Sequence, residues 1–186
     1  MPTSLATVAQ LGAFTKTTLS DTDPTALLML SIASGMVRDK LQQQISLVTN
    51  EVVVLDPIDT TVLLPDLPVI SVSLVETFDG TTWNTLSAAD YTVSKRTGVI
   101  QAARWSGLTW PSDPGSWRVT YTHGYAVIPD AIVGVTLGVA ARAYASPVAV
   151  ESERIGGYQV KYAMEAEGFS AIEKSALSRY MIARVS

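Results

Sequence analysis

From Trp117 to Thr122 the apolar residues Trp117, Val119 and Tyr121 alternate with Arg118, Thr120 and Thr122, the period of two that marks a strand with one buried face. Gly124 breaks the alternation, and Pro129 and Asp130 open a long apolar run. Proline suits the first position of a helix, where its missing N–H would have no partner anyway. The stretch 115–131 therefore predicts a strand-to-helix joint, with the helix running from about Pro129 to Ala145 and stopping before Pro147.

Upstream, Ser4–Phe14 reads as a short helix. A longer one begins at Asp23-Pro24, where the aspartate caps the first free N–H groups, and carries Leu27, Leu30, Met36, Val37 and Leu41 to about Gln44. A β region follows, with short strands at Glu51–Leu55 and Thr61–Leu64. A longer one at Val69–Phe78 is expected to alternate Val69, Ser71, Ser73 and Val75 against Ile70, Val72, Leu74 and Glu76. Asp79-Gly80 predicts a turn into a return segment with Trp83 and Leu86, and Thr97-Gly98 a second turn joining Tyr91–Val93 to Val99–Ala102. Downstream, Glu151–Ala163 reads as a hairpin around Gly156-Gly157, with Tyr158, Val160 and Tyr162 on one side. Ser170-Ala171-Ile172-Glu173 is a capping box that starts a final helix with Ile172, Ala176, Leu177, Tyr180 and Met181 on one stripe. The fold class expected is α+β, an α-helical bundle with an inserted small antiparallel β region and a C-terminal hairpin plus helix. We read one domain over 1–186: helical at 1–48, β-rich at 50–125, a helix at 129–146, and the hairpin and helix at 150–184.

Composition narrows the chemistry. An apolar fraction of 47% with 16% charged residues is that of a folded chain with a substantial core. Cysteine is absent, which removes disulfides, thiolate metal sites and thiol nucleophiles together. Residues 1–93 hold three basic and ten acidic side chains, whereas 94–186 hold ten basic and seven acidic, a split that could place opposite fields on two faces of an assembly. No basic start followed by an apolar stretch precedes Lys16, so no targeting segment is expected. The run Ala131–Ala141 stops at Arg142, about half of the roughly 20 residues a membrane span needs. Its Gly134 and Gly138 predict close packing, on the sheet or on a neighbouring subunit.

A search for a site finds little. His123, the single histidine, stands beside Gly124 where a catalytic base oriented by Asp130 could sit, but no G-x-S-x-G elbow supplies a nucleophile, and a structural histidine is expected. Glu151-x-Glu153 and Asp21-x-Asp23 are too common to mark a metal site. Phosphate-cradling glycine loops are missing, and Lys95-Arg96 is only a pair, not the basic run that grips nucleic acid. We expect no catalytic residue, cofactor or metal. Trp105, Trp110 and Trp117 gather around the Pro/Gly-rich loop 111–115, where they could form a ligand platform, cover the open end of a sheet or meet a partner.

Taken in order, the segments L-P-V-I-S-V-S-L-V (67–75), F-D-G (78–80), W-x-x-L-S-A-A-D-Y-T-V (83–93), W-P (110–111), W-R-V-T-Y-T-H-G-Y (117–125) and P-D-A-I (129–132) resemble the head-to-tail connector, or adaptor, proteins of long-tailed bacteriophages. E-R-I-G-G-Y-Q-V-K-Y (153–162) and a capped helix ending S-R-Y (178–180) resemble the actinobacteriophage-type members, so the likeness spans roughly 20–182. It implies a structural virion protein without catalytic residues, located in the virion neck after assembly in the host cytoplasm. Such a protein forms a homo-oligomeric, dodecameric ring beneath the portal protein, offers a platform to the stopper or tail-completion protein, and lets double-stranded DNA pass through its lumen without sequence-specific binding. No membrane partner is implied. The interaction residues expected are Trp105, Trp110 and Trp117 in the loop, and Lys174, Leu177, Arg179, Tyr180 and Arg184 on the last helix, read as a docking element for the portal. Two other classes fit the same sequence: another ring-forming neck or tail protein such as a tail terminator, and a small hydrolase or carbohydrate-binding module using the tryptophan-rich loop.

Overall fold

A computed structural model describes residues 4–103, 105, 107, 110–145, 152–155, 158–161 and 168–182. The architecture mixes α-helices with antiparallel sheets, and the chain divides into two compact units, 43–127 and the combination of 1–42 with 128–186.

The first of these, 43–127, is all β. Its larger sheet has the order β1-β7-β3-β4, made of β1 (Val48–Leu55), β7 (Trp117–His123), β3 (Val69–Phe78) and β4 (Trp83–Thr85). The smaller has the order β2-β6-β5, made of β2 (Thr61–Leu63), β6 (Val99–Ala102) and β5 (Tyr91–Ser94). β7 is paired on both sides, to β1 and β3. Its alternation is as its sequence predicts, with Trp117, Val119, Tyr121 and His123 buried and the residues between them half-buried. The buried face meets Val62 and Ile100 of the smaller sheet, Leu64 just past β2, and Val69 and Val75 of β3 in one core.

β3 departs from the expected alternation. Its pairing with β7 shifts register between Val69 and Ser71 and again between Val72 and Leu74. Each bulge sets two residues against one and breaks the period of two. Val69 and Val75 are buried while Ser71 and Ser73 are exposed, and Glu76 and Thr77 are buried side by side. The turn between β3 and β4 is held by Asp79, whose carboxylate accepts from the Thr81 and Thr82 amides, both hydroxyls and the Asn84 amide group. Those bonds hold the Asp79 carboxyl far below its ordinary value, the Thr82 amide contributing most.

The other unit holds α1 (Val8–Thr15), α2 (Pro24–Leu41), α3 (Asp130–Ala145), the hairpin β8 (Ser152–Ile155) and β9 (Tyr158–Lys161), and α4 (Ala171–Ser178). α2 starts where predicted, Asp23 Oδ1 accepting from the Thr25 and Ala26 amides at 2.9 Å, but ends at Leu41 because Gln42 turns left-handed at φ 53°. α3 packs against α1, α2 and α4. The small residues of α3 thus serve helix-on-helix approach: a Cβ on Gly138 would stand 2.7 Å from Glu173 Oε1 of α4, whereas Gly134 faces open space. The stripe expected along α4 is only partly buried, since Leu177 is enclosed while Ile172 is 82% and Met181 48% exposed. Phe169, just ahead of the helix, shares the burial with Leu177.

Candidate functional site

The polar cluster with the most chemical capacity lies at the end of the larger sheet. His123 is the last residue of β7 and is fully buried, its ring stacked on Tyr121 with centroids 4.7 Å apart. Its Nε2 lies 2.6 Å from Glu51 Oε2. Glu51 sits on β1 just past a register shift, next to Asn50, which has a left-handed φ of 52° and donates its amide to Thr122 Oγ1. Asp66 approaches from the segment between β2 and β3, where its Oδ1 accepts from the Gln44 amide at 2.5 Å. One ligand atom from each of Glu51, Asp66 and His123 falls within a common 4.8 Å. The buried Tyr121 hydroxyl lies against Asp66, and the buried His123 Nδ1 has no hydrogen-bond partner. Burial, then the nearby charges of Asp66 and Glu51, push the Tyr121 hydroxyl well above its ordinary range.

Nothing local in the sequence marks this cluster. Glu51 and His123 stand 72 positions apart and meet only because β1 pairs with β7. The carboxylate that reaches the imidazole nitrogen is Glu51, where the sequence suggested Asp130.

The tryptophans separate by depth. Trp117 is fully buried; it stacks on the half-buried Trp110 with centroids 5.2 Å apart, and its Nε1 donates to the Pro111 carbonyl. Trp105 is 74% exposed, with Nε1 donating to the Ala89 carbonyl. The loop thus presents Trp105 and part of Trp110 outward, while Trp117 is the floor on which Trp110 rests. On the same sheet Arg118 forks onto Glu76 with two 2.6 Å bonds and lies 4.4 Å over the Trp83 ring. The Arg118 bond holds the Glu76 carboxyl below its ordinary value.

On α4, Leu177 is in the core, Lys174 and Tyr180 are half-buried and Arg179 is exposed. Arg184 lies outside the described residues. The helix is capped reciprocally by Ser170 and Glu173. Glu173 also receives Arg142 of α3 through Nη1 at 2.9 Å and Nη2 at 3.0 Å, and Arg142 donates further to the Gly168 carbonyl. Burial would raise the Glu173 carboxyl, but the Arg142 and Ser170 bonds outweigh it and hold it low. Elsewhere in this unit Leu27, Leu28 and Ile32 form an exposed apolar row on α2. In the β unit Val52 and Val54 are exposed on β1, an edge strand of its sheet among the described residues. Contiguous exposed apolar area and open strand edges are where other molecules can dock.

No family model matches the chain, and no curated protein matches it significantly. Solved structures do. The chain is similar to a chain in the neck of a native gene transfer agent (GTA) particle computed with C12 symmetry, at 17% identity and TM-score 0.59, over 96% of this chain and 90% of that one. A chain of the virion of the native particle is similar over the same shares at 16% identity and TM-score 0.57. One in the neck of the empty particle, computed with C6 symmetry, is similar over the same shares at 15% identity and TM-score 0.59. What is shared at these identities is the fold. It extends over both units, because the matched share of the chain leaves room for neither to be missing.

Proposed function

We propose that this protein is a structural component of a virion neck, a head-to-tail connector that forms a ring under the portal, joins the DNA-filled head to the tail and lines part of the DNA channel. The observation that carries the reading is the fold likeness over 96% of the chain to a neck chain from a particle computed with C12 symmetry. The ordered sequence segments that resemble phage adaptors point the same way independently. On this reading the helices are the adaptor bundle, the copies are related by a closed rotation, and each subunit presents two unlike surfaces to its neighbours.

The surface chemistry supports it. A ring subunit must bury apolar area against its neighbours, and both the α2 row and the β1 face offer such area. A chain with formal charge −4 and no basic run suits a lumen through which DNA slides, since phosphate binding is driven by clustered lysine and arginine. Trp105 and Trp110 are the loop residues we assign to a contact with a neighbouring subunit or the stopper, and Lys174, Arg179, Tyr180 and Arg184 those we assign to the portal side, Arg179 being exposed on α4. No step of this function needs catalysis.

The deciding experiment is cryo-electron microscopy of intact particles with assignment of this chain's copy number and neighbours. Twelve copies between portal and stopper are expected; copies seated on the tail tube, as for a tail terminator, would overturn the connector reading. Particles made without the gene are expected to be DNA-filled heads lacking tails.

A further inference from the structure

We propose that Glu51, Asp66 and His123 form a binding site for a divalent transition-metal cation, of which zinc is the best fit, at the end of the larger sheet. The three donors come from three backbone segments that are each fixed independently. Glu51 is held in β1 and His123 in β7 by the strand pairing between them, and Asp66 is tied by the Gln44 amide. Their ligand atoms lie within 4.8 Å of one another, the outer limit for atoms bound to one ion at about 2.0–2.4 Å. Two carboxylates converge on one imidazole, and a divalent ion would offset their charge where half-burial makes it costly.

The buried Tyr121 hydroxyl stands against the Asp66 backbone and carboxylate, within hydrogen-bonding reach of both, and so helps fix the Asp66 segment beside β7. Three protein ligands leave a position for water on the ion.

The donor set selects the ion. Imidazole suits zinc, copper, iron or nickel, and zinc also takes carboxylates; calcium takes six to eight oxygens, and magnesium keeps its own water. Affinity has a built-in limit. A ligating Nε2 leaves the ring proton on Nδ1, which has no acceptor here, and histidine ligands without such support bind about 10–100-fold more weakly. The site is a staple, fixing the segment that carries Asp66 to the sheet end, and it makes no use of an active-site cleft.

The chain's only histidine provides the readout. The untagged, 15N-labelled full chain is titrated with zinc chloride, and its imidazole nitrogens are followed by long-range 1H–15N correlation. The expected result is a saturable displacement of the Nε2 resonance at one zinc per chain. Asp66→Asn and Glu51→Gln, which keep an acceptor for the Gln44 amide and a partner for His123, are expected to weaken binding at least about tenfold. Imidazole resonances unmoved by millimolar zinc would overturn the proposal on the wild-type chain alone, whatever the variants do. Folded variants that bind as tightly as the wild type would overturn it too. Neither outcome bears on the neck reading, which rests on the fold.

Discussion

Replacing Leu177 by alanine tests whether α4 is part of the protomer's core or a surface element, the two roles its sequence allows. Leu177 is the one fully buried side chain among the described residues of this eight-residue helix. Removing a buried leucine costs about 2–5 kcal/mol. The other attachments are Phe169, whose burial contributes about 1.5–3 kcal/mol, the Ser170 cap at about 1 kcal/mol, and the Arg142–Glu173 pair. That pair is half exposed on the arginine side and is worth at most about 1 kcal/mol. Against these stands the ordering of the helix, which at eight residues does not persist alone in water. The loss is as large as the attachments that remain, and these must also offset the ordering of the helix, so Leu177→Ala is expected to detach α4 locally before the rest of the chain unfolds. Hydrogen exchange read by mass spectrometry is the assay: amides of 171–178 should lose protection while those of β7 keep theirs. Arg179→Ala, a change at an exposed position, should leave exchange in α4 within about 0.5 kcal/mol of wild type. Unchanged protection of α4 in Leu177→Ala would refute the reasoning.

Three further outcomes follow from the geometry. Gly124 has a φ of 84°, and a Cβ there would stand 2.5 Å from the Ser46 carbonyl oxygen; Gly124→Ala should cost about 1–3 kcal/mol or more in a urea titration, and an unchanged midpoint would contradict the tight approach of Ser46 to this corner. On α3, Gly134→Ala meets open space and should raise stability by about 0.5–1 kcal/mol, whereas Gly138→Ala pushes on the Glu173 carboxylate and should give no such gain; equal shifts in melting temperature would contradict this. Glu76 has a folded pKa below its unfolded value, so its pair with Arg118 stabilises fully above the unfolded pKa of about 4.3 and is lost as pH falls through the lower folded value. Glu76→Gln should therefore flatten the acid limb of the stability curve below about pH 4, and a limb as steep as wild type would assign acid sensitivity to other carboxylates.

The parts of the fold legible in the chain are those with local causes. Asp23-Pro24 and Ser170-Ala171-Ile172-Glu173 announce helix starts through side chains that reach only a few residues, and the cap bonds form as expected. Asp79-Gly80 and Thr97-Gly98 announce turns in the same way, and both hairpins form there. β7 is legible because a central strand with one face on the core obeys the period of two without interruption. β3 is not, because its two bulges answer to the pairing with β7 and leave no mark in its own composition.

The candidate site divides along the same line. Three tryptophans close in sequence read as one aromatic surface, yet strand phase sends Trp117 inward, Trp110 stacks on it, and Trp105 is left to solvent. Leu177 is likewise drawn inward by helix phase, leaving Arg179 outside. Residue type alone cannot separate these fates, since an aromatic or aliphatic side chain serves a core and an interface by the same burial of apolar area. The cluster of Glu51, Asp66, Tyr121 and His123 lies further still from sequence reading, because it exists only where β1, β7 and the segment ahead of β3 converge. On local grounds a histidine with no companion within hydrogen-bond range along the chain reads as structural. What local reading could not supply is its partner, a glutamate 72 positions away whose carboxylate the sheet register delivers to within 2.6 Å.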